Sequence, residues 1–154
     1  MTLGKLFKGL KDGLNVGVDF TTAIGGLGLL SAPLPLSLSF NLDNLDEHNF
    51  PIEHDGSLSR GDYYAGDDHS FNQSLFDQVL AFYDGTEVAT IPAASKARYS
   101  RIKSATAINP TMTYGPRELV LSYGETALYL STMGDPITGN APVSYIKSLF
   151  GTFH

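Results

Sequence analysis

The sequence of 154 residues contains no cysteine. Without a thiol the chain cannot form a disulfide, a thiolate zinc site, an iron–sulfur cluster or a cysteine nucleophile. For the same reason, cysteine usage gives no indication of the redox compartment. Hydrophobic residues make up 42% of the chain, a fraction typical of globular proteins and too high for a disordered one. The length suits one domain that buries a core.

Positive charge is also scarce, and no hydrophobic run is long enough to span a bilayer. Lys and Arg number 10 against 16 Asp and Glu, so the net charge is -6, and no basic cluster is present to neutralise phosphates. The apolar stretch 23–36 contains three glycines and two prolines. It is too short and too interrupted for a membrane span, and we interpret it as a buried loop or a broken helix. The sequence therefore predicts no nucleic-acid partner and no membrane partner.

Helical periodicity recurs along the chain and is separated by turn residues. One alternation of apolar and polar residues over 36–40 indicates a short strand, which cannot make a sheet by itself. Ser70 is the predicted N-cap of the second helix, and the basic residues of the third predict a partly solvated helix. We therefore expect a mostly α fold with long loops. The predicted helices cover residues 1–14, 70–82, 92–107, 116–133 and 142–150.

Residues 49–60 concentrate groups that bind hard cations and handle protons. Around one proline and one glycine the segment places two acids, an imidazole and two hydroxyls. Carboxylate, carbonyl and hydroxyl oxygens are the ligands of Mg²⁺, and an imidazole beside them can transfer protons. The alternative is a solvated turn in which Asp and Ser bind local backbone amides. The residues that carry this pattern are Glu53, His54, Asp55 and Ser57.

Glu125 is a second candidate for proton chemistry. On its predicted helix it follows Leu121 by one turn and precedes Leu128 by about one turn, so it lies on a largely apolar stripe. A carboxylate in such surroundings is suited to proton transfer. The alternative is a boundary glutamate whose stem packs while its head reaches water. A hydrolase that uses Glu53 and Glu125 as paired acids is a further alternative, for which no distinguishing motif is present.

The segment Glu53-His54-Asp55 resembles the Glu-His-Asp signature of the fungal haem-thiolate peroxidases, which include chloroperoxidases, haem haloperoxidases and short unspecific peroxygenases. Further similar segments follow in the family's order and extend the resemblance over roughly residues 14–150. The resemblance implies a single-domain, mostly α, haem haloperoxidase-like fold over 13–154, preceded by a divergent amphipathic helix over 1–12. The similar segments are 20–30, 38–43, 45–50, 58–62, 71–76, 123–125, 133–136 and 139–142.

The resemblance also implies cofactors, reactants and residue roles. It implies haem b and Mg²⁺, with hydrogen peroxide as oxidant of small organic substrates or halide. Glu53, the His54 carbonyl and Ser57 would hold the Mg²⁺ beside a haem propionate. Glu125 would be the distal acid–base, with His54 as its partner, because Glu118 stands where long members of the family carry an arginine. Members of the family are typically secreted.

One departure from the family pattern limits what this chain is expected to do. The family binds haem iron through the cysteine of a Pro-Cys-Pro motif, which has no counterpart here. We therefore expect a sequence that is incomplete at both ends relative to the family, with weak haem binding and impaired activity from this chain alone. The competing hypothesis is a non-catalytic metal-binding or interaction remnant of the family.

Overall fold

The computed structural model describes residues 1–33 and 38–151, and its chain folds into two compact units, residues 1–54 and 55–154. The expected mostly α class is confirmed. In the described residues, no helix combines the length and the apolarity that crossing a membrane requires. The regular elements are α1 (Leu3–Lys8), α2 (Val18–Leu30), α3 (Gln73–Leu80), β1 (Val88–Ala89), α4 (Ile91–Ile108), α5 (Pro116–Met133), β2 (Ala141–Pro142) and α6 (Val143–Phe150).

The first unit is built on α1 and α2. The Thr2 hydroxyl accepts a hydrogen bond from the Lys5 amide at 3.4 Å and caps α1, which continues into a π-helical segment, Gly9–Gly13. The prediction of a loop or broken helix over 23–36 is wrong for its first part, because α2 is continuous to Leu30. Its glycines allow close packing rather than a break: a Cβ on Gly28 would lie 2.5 Å from the Phe40 ring.

The predicted strand over 36–40 is only partly covered by the structure. Residues 36 and 37 lie outside the described ranges. Ser39 forms an isolated antiparallel bridge with Thr2, and the amino group of Met1 donates a hydrogen bond to the carbonyl of Phe40. The start of the chain is thereby tied to residues 39–40. The predicted domain boundary at residue 12 stays a prediction.

The second unit carries the main hydrophobic core. Phe76 of α3 is fully buried and contacts Phe150 of α6, with ring centroids 5.3 Å apart. The two short strands pair antiparallel, with Ala89 opposite Ala141, and both alanines are fully buried. The core is formed by Leu58, Phe76, Val79, Tyr83, Ala89, Ala94, Ala97, Tyr129, Leu130, Ala141, Val143 and Ile146.

The predicted helices of this unit agree with the observed ones to within one residue for α4, α5 and α6. A proline lies within or next to the first turn of each, where its missing N–H costs nothing. The predicted N-cap of α3 is wrong. The helix begins two residues later, because Asn72 rather than Ser70 accepts a hydrogen bond from the Leu75 amide, at 3.1 Å.

Helical spacing predicts that α5 has an apolar face formed by Val120, Tyr123, Ala127 and Leu130, and this prediction is only partly correct. Leu130 is buried as expected, whereas 69% of the Val120 surface is exposed. The buried face instead carries two hydroxyls, Ser122 and Thr126, followed by Tyr129. The hydroxyls are buried because they have hydrogen-bond partners inside the unit, which hydrophobic periodicity does not reveal.

Candidate active site

The loop that follows the Glu-His-Asp signature is a turn ordered by two buried carboxylates. Gly56 adopts φ +87°, a left-handed conformation that favours glycine. Its amide donates to Asp62 Oδ1 at 3.1 Å, and the Tyr63 amide donates to Asp55 Oδ1 at 3.0 Å. Leu58 projects from the same loop into the core. The loop is therefore fixed by hydrogen bonds at its start and its end, and by apolar packing in between.

Helix α4 contributes two buried arginines to this loop. Arg98 is 2% exposed and Arg101 is 4% exposed, whereas Lys96 and Lys103 lie on the exposed side of the helix. The expectation of a partly solvated basic helix is thus correct for the lysines and wrong for the arginines. Residues three apart share a helix face, so the spacing places the two arginines on one face of α4 but does not indicate that this face is buried.

Arg101 anchors the loop through its backbone and through Asp62. Its Nε donates to the Ser57 carbonyl at 2.8 Å, and its Nη2 donates to Asp62 Oδ1. Asn109, at the C-cap of α4, donates through Nδ2 to Asp55 Oδ2 at 2.9 Å and contacts Asp62 Oδ2 at 3.4 Å. Each of these buried carboxylates therefore has hydrogen-bond donors, as a buried charge requires.

Arg98 reaches from α4 to both the loop and α5. Its Nη1 donates to the Gly56 carbonyl at 2.9 Å, and its Nε donates to Thr126 Oγ1 at 2.9 Å. Its Nη2 lies 3.6 Å from Glu125 Oε2. Burial lowers the pKa of the Arg98 guanidinium from its ordinary value, and the charge of Glu125 opposes that shift. The group remains a cation at neutral pH.

Glu125 lies in an open, cationic environment rather than in an enclosed apolar one. Its side chain is 48% exposed, and Leu128 on the same side of α5 is 38% exposed. Its carboxylate can therefore meet a small molecule from solvent on one side while Arg98 lies on the other. The structure brings Glu125 beside a residue that the sequence analysis did not assign to the site.

Glu118 has a structural role at the start of α5. Its Oε2 accepts from the Gly115 amide at 2.7 Å, and its Oε1 accepts from Arg117 Nε at 2.7 Å. Burial acts to raise the pKa of Glu118, but the backbone amides at the helix start and Arg117 outweigh it and hold that pKa below its ordinary value. An acid at this position is a helix cap, since carboxylates stabilise helix N-termini.

The predicted metal ligands belong to different units of the chain. In the first unit, Glu53 Oε2 accepts from His48 Nδ1 at 2.7 Å and from the Asn49 amide at 2.9 Å, so its carboxylate is oriented. His54 is the last residue of that unit. In the second unit, the Ser57 hydroxyl accepts from the Ser59 amide at 3.4 Å. The grouping of Glu53, His54 and Ser57 around Mg²⁺ stays a prediction.

The residues present fit the two implied cofactors unequally. The oxygen donors of Glu53, the His54 backbone and Ser57 are of the kind that Mg²⁺ binds. A haem-thiolate centre needs a cysteine, and none of the 154 residues is one. The residues of this chain by themselves therefore do not fit a thiolate-bound haem.

Comparison with known proteins defines the family of this chain. The chain belongs to the family described as Peroxidase, family 2, which matches residues 1–152. This confirms the resemblance to the fungal haem-thiolate peroxidases.

Among curated proteins, an aromatic peroxygenase from Cyclocybe aegerita is 32% identical over 88 residues, which cover 56% of this chain and 24% of that protein. An aromatic peroxygenase from Coprinellus radians is 30% identical over 96 residues, which cover 61% of this chain and 36% of that protein. The chain thus spans between 24% and 36% of the length of these relatives.

Proposed function

We propose that this chain is the acid–base portion of a haem peroxidase or peroxygenase that oxidises small organic substrates or halide with hydrogen peroxide. Family membership supports the reaction class. The observation that carries the assignment of Glu125 is its place in the second unit. An accessible carboxylate lies 3.6 Å from Arg98, a buried guanidinium that also binds the loop after the Glu-His-Asp signature.

In this proposal Glu125 moves one proton between the two oxygens of hydrogen peroxide. The carboxylate accepts the proton from one peroxide oxygen and returns it to the other. General acid–base catalysis of this kind contributes about 10²–10⁴-fold to a rate. The guanidinium of Arg98 lies 3.6 Å from the carboxylate that accepts the proton. We propose His54 as a further partner of Glu125, in keeping with the family's short members.

We further propose that Glu53, the His54 carbonyl and Ser57 hold Mg²⁺. The support is the chemistry of the donors and the orientation of the Glu53 carboxylate by His48 and Asn49. Haem, when bound, supplies the oxidising chemistry, and Mg²⁺ would balance the charge of one propionate. Because the chain contains no thiolate, we assign no step at the iron to its residues.

A second function is favoured by the same lack of cysteine. A family member without a thiolate ligand could persist as a non-catalytic metal-binding or interaction protein. This alternative predicts that Mg²⁺ binding, where present, is unaffected by substitutions of Glu125. It also predicts no turnover of peroxide under any reconstitution.

The test is reconstitution of the chain with haem, with and without a small thiol that supplies the missing ligand. We expect weak haem binding alone, and a ferrous–CO spectrum typical of thiolate ligation when the thiol is added. Peroxide turnover of this complex should fall about 10²-fold or more in Glu125→Gln. The exposed Glu87→Gln is the matched control. Equal turnover in both variants contradicts the role of Glu125, and no turnover at all favours the non-catalytic alternative.

A further inference from the structure

A buried arginine of α4 is held in one orientation beside the exposed carboxylate of α5. Arg98 has a side-chain exposure of 3%, against 48% for Glu125. Two of its three guanidinium nitrogens are hydrogen-bonded at 2.9 Å, Nε to Thr126 and Nη1 to the Gly56 carbonyl. Because the guanidinium is planar and rigid, two bonds fix its plane and with it the position of the third nitrogen, Nη2.

The partners that fix Arg98 are themselves immobilised. Thr126 donates its own hydroxyl to the Ser122 carbonyl at 2.9 Å, within α5. Gly56 is held by its amide, which donates to Asp62, an acid paired with Arg101. The cation that faces Glu125 therefore has a position set by α4, α5 and the loop together.

We infer that Arg98 is a positioning residue for Glu125. Its Nη2 attracts Glu125 Oε2 from a fixed point 3.6 Å away and restricts the orientations of an otherwise exposed side chain. It also ties the carboxylate to the backbone of Gly56. The cation thus comes from the neighbouring helix α4. On α5 itself, the residue about two turns before Glu125 is Glu118, whose carboxylate caps the helix. This inference rests on the proposed function of Glu125.

The first experiment observes Arg98 directly and needs neither haem nor turnover. In the isotopically labelled full chain, the Nε–H and Nη–H signals of Arg98 are recorded by NMR. Glu125→Gln should shift the Nη signals and leave the Nε–H bond to Thr126 intact, and Glu87→Gln should shift neither. Unmoved Arg98 signals in Glu125→Gln overturn the inference, even if no variant of Arg98 folds.

The second experiment separates positioning from structural support. Arg98→Lys keeps the positive charge but loses the planar guanidinium. In the chain reconstituted with haem and thiol, this substitution should lower kcat for peroxide turnover about tenfold to a hundredfold and leave KM unchanged. Lys96→Gln, on the exposed side of the same helix, is the control and should leave kcat unchanged.

The two proposals fail in different ways. A large loss in Glu125→Gln beside an unchanged kcat in folded Arg98→Lys overturns the positioning role alone. Unchanged turnover in Glu125→Gln overturns the proposed function, and the positioning role in catalysis falls with it.

Discussion

Asp62→Asn tests whether the loop after the Glu-His-Asp signature is held by buried charge. Asp62 is 6% exposed and is paired with Arg101, which is 4% exposed. The substitution preserves shape but removes the negative charge. It also replaces one acceptor oxygen by an NH₂ group, which must then face either a donor of Asn109 or the amide of Gly56.

The expected cost follows from the uncompensated charge on Arg101. Breaking a buried ion pair by removing one partner lowers the free energy of unfolding by about 3–5 kcal/mol. Arg101 keeps its hydrogen bond to the Ser57 carbonyl, so we expect a loss near the lower end, about 3 kcal/mol. Because domains are stable by about 5–15 kcal/mol, this is a large fraction of the total. Replacing both partners, with Asp62→Leu and Arg101→Met, should cost less than Asp62→Asn alone.

The assay is guanidinium unfolding followed by circular dichroism, with the midpoint and slope compared at neutral pH. Asp77→Asn, at an exposed position on α3, is the control and should be nearly neutral. A loss below about 1 kcal/mol for Asp62→Asn, with an unchanged slope, would refute the view that this pair carries the loop.

Three further outcomes are expected. Burial raises the pKa of the Tyr83 and Tyr129 hydroxyls, which lie 2.8 Å apart. Their contribution to the free energy of unfolding is therefore complete below about pH 10 and is lost as the pH rises further. Replacing both tyrosines by Phe should flatten the dependence of stability on pH above that value. Glu118→Ala should cost about 1 kcal/mol. Because the pKa of Glu118 is lowered in the folded chain, protonation of this carboxyl below pH 4.5 reduces stability. This part of the acid-induced loss should be missing in Glu118→Ala when unfolding is measured across acidic pH. Gly134→Ala should cost about 1–3 kcal/mol in the same assay, because its Cβ would lie 2.1 Å from the carbonyl oxygen of residue 140; an unchanged stability would contradict the observed chain path there.

The helices that the sequence predicted best are those with strong local signals. α5 begins at Pro116 and ends at Met133, directly before Gly134, and its bounds agree with the prediction at both ends. The predicted loop or broken helix is wrong within α2, because the glycines there do not break the helix. In the structure, Leu3 and Phe40 pack closely against the helix at its glycines. These packing partners are distant in the sequence, so local patterns do not reveal them.

In the candidate site, too, local motifs identify residues, whereas contacts between distant residues are not visible in the sequence. Glu53, His54, Ser57 and Glu125 were identified from motifs within the sequence, because residue types and their order are properties of the chain itself. Their roles in metal binding and proton transfer stay proposals.

The sequence by itself determined the family, the mostly helical class and the net charge of -6. Only the tertiary structure decided that Arg98 and Arg101 are buried, since an arginine is buried where distant carbonyls and carboxylates meet it. Those partners lie about forty residues away: Gly56 is 42 residues from Arg98, and Asp62 is 39 from Arg101. No local periodicity encodes such a separation, because it is fixed by how α4 packs against the loop and α5.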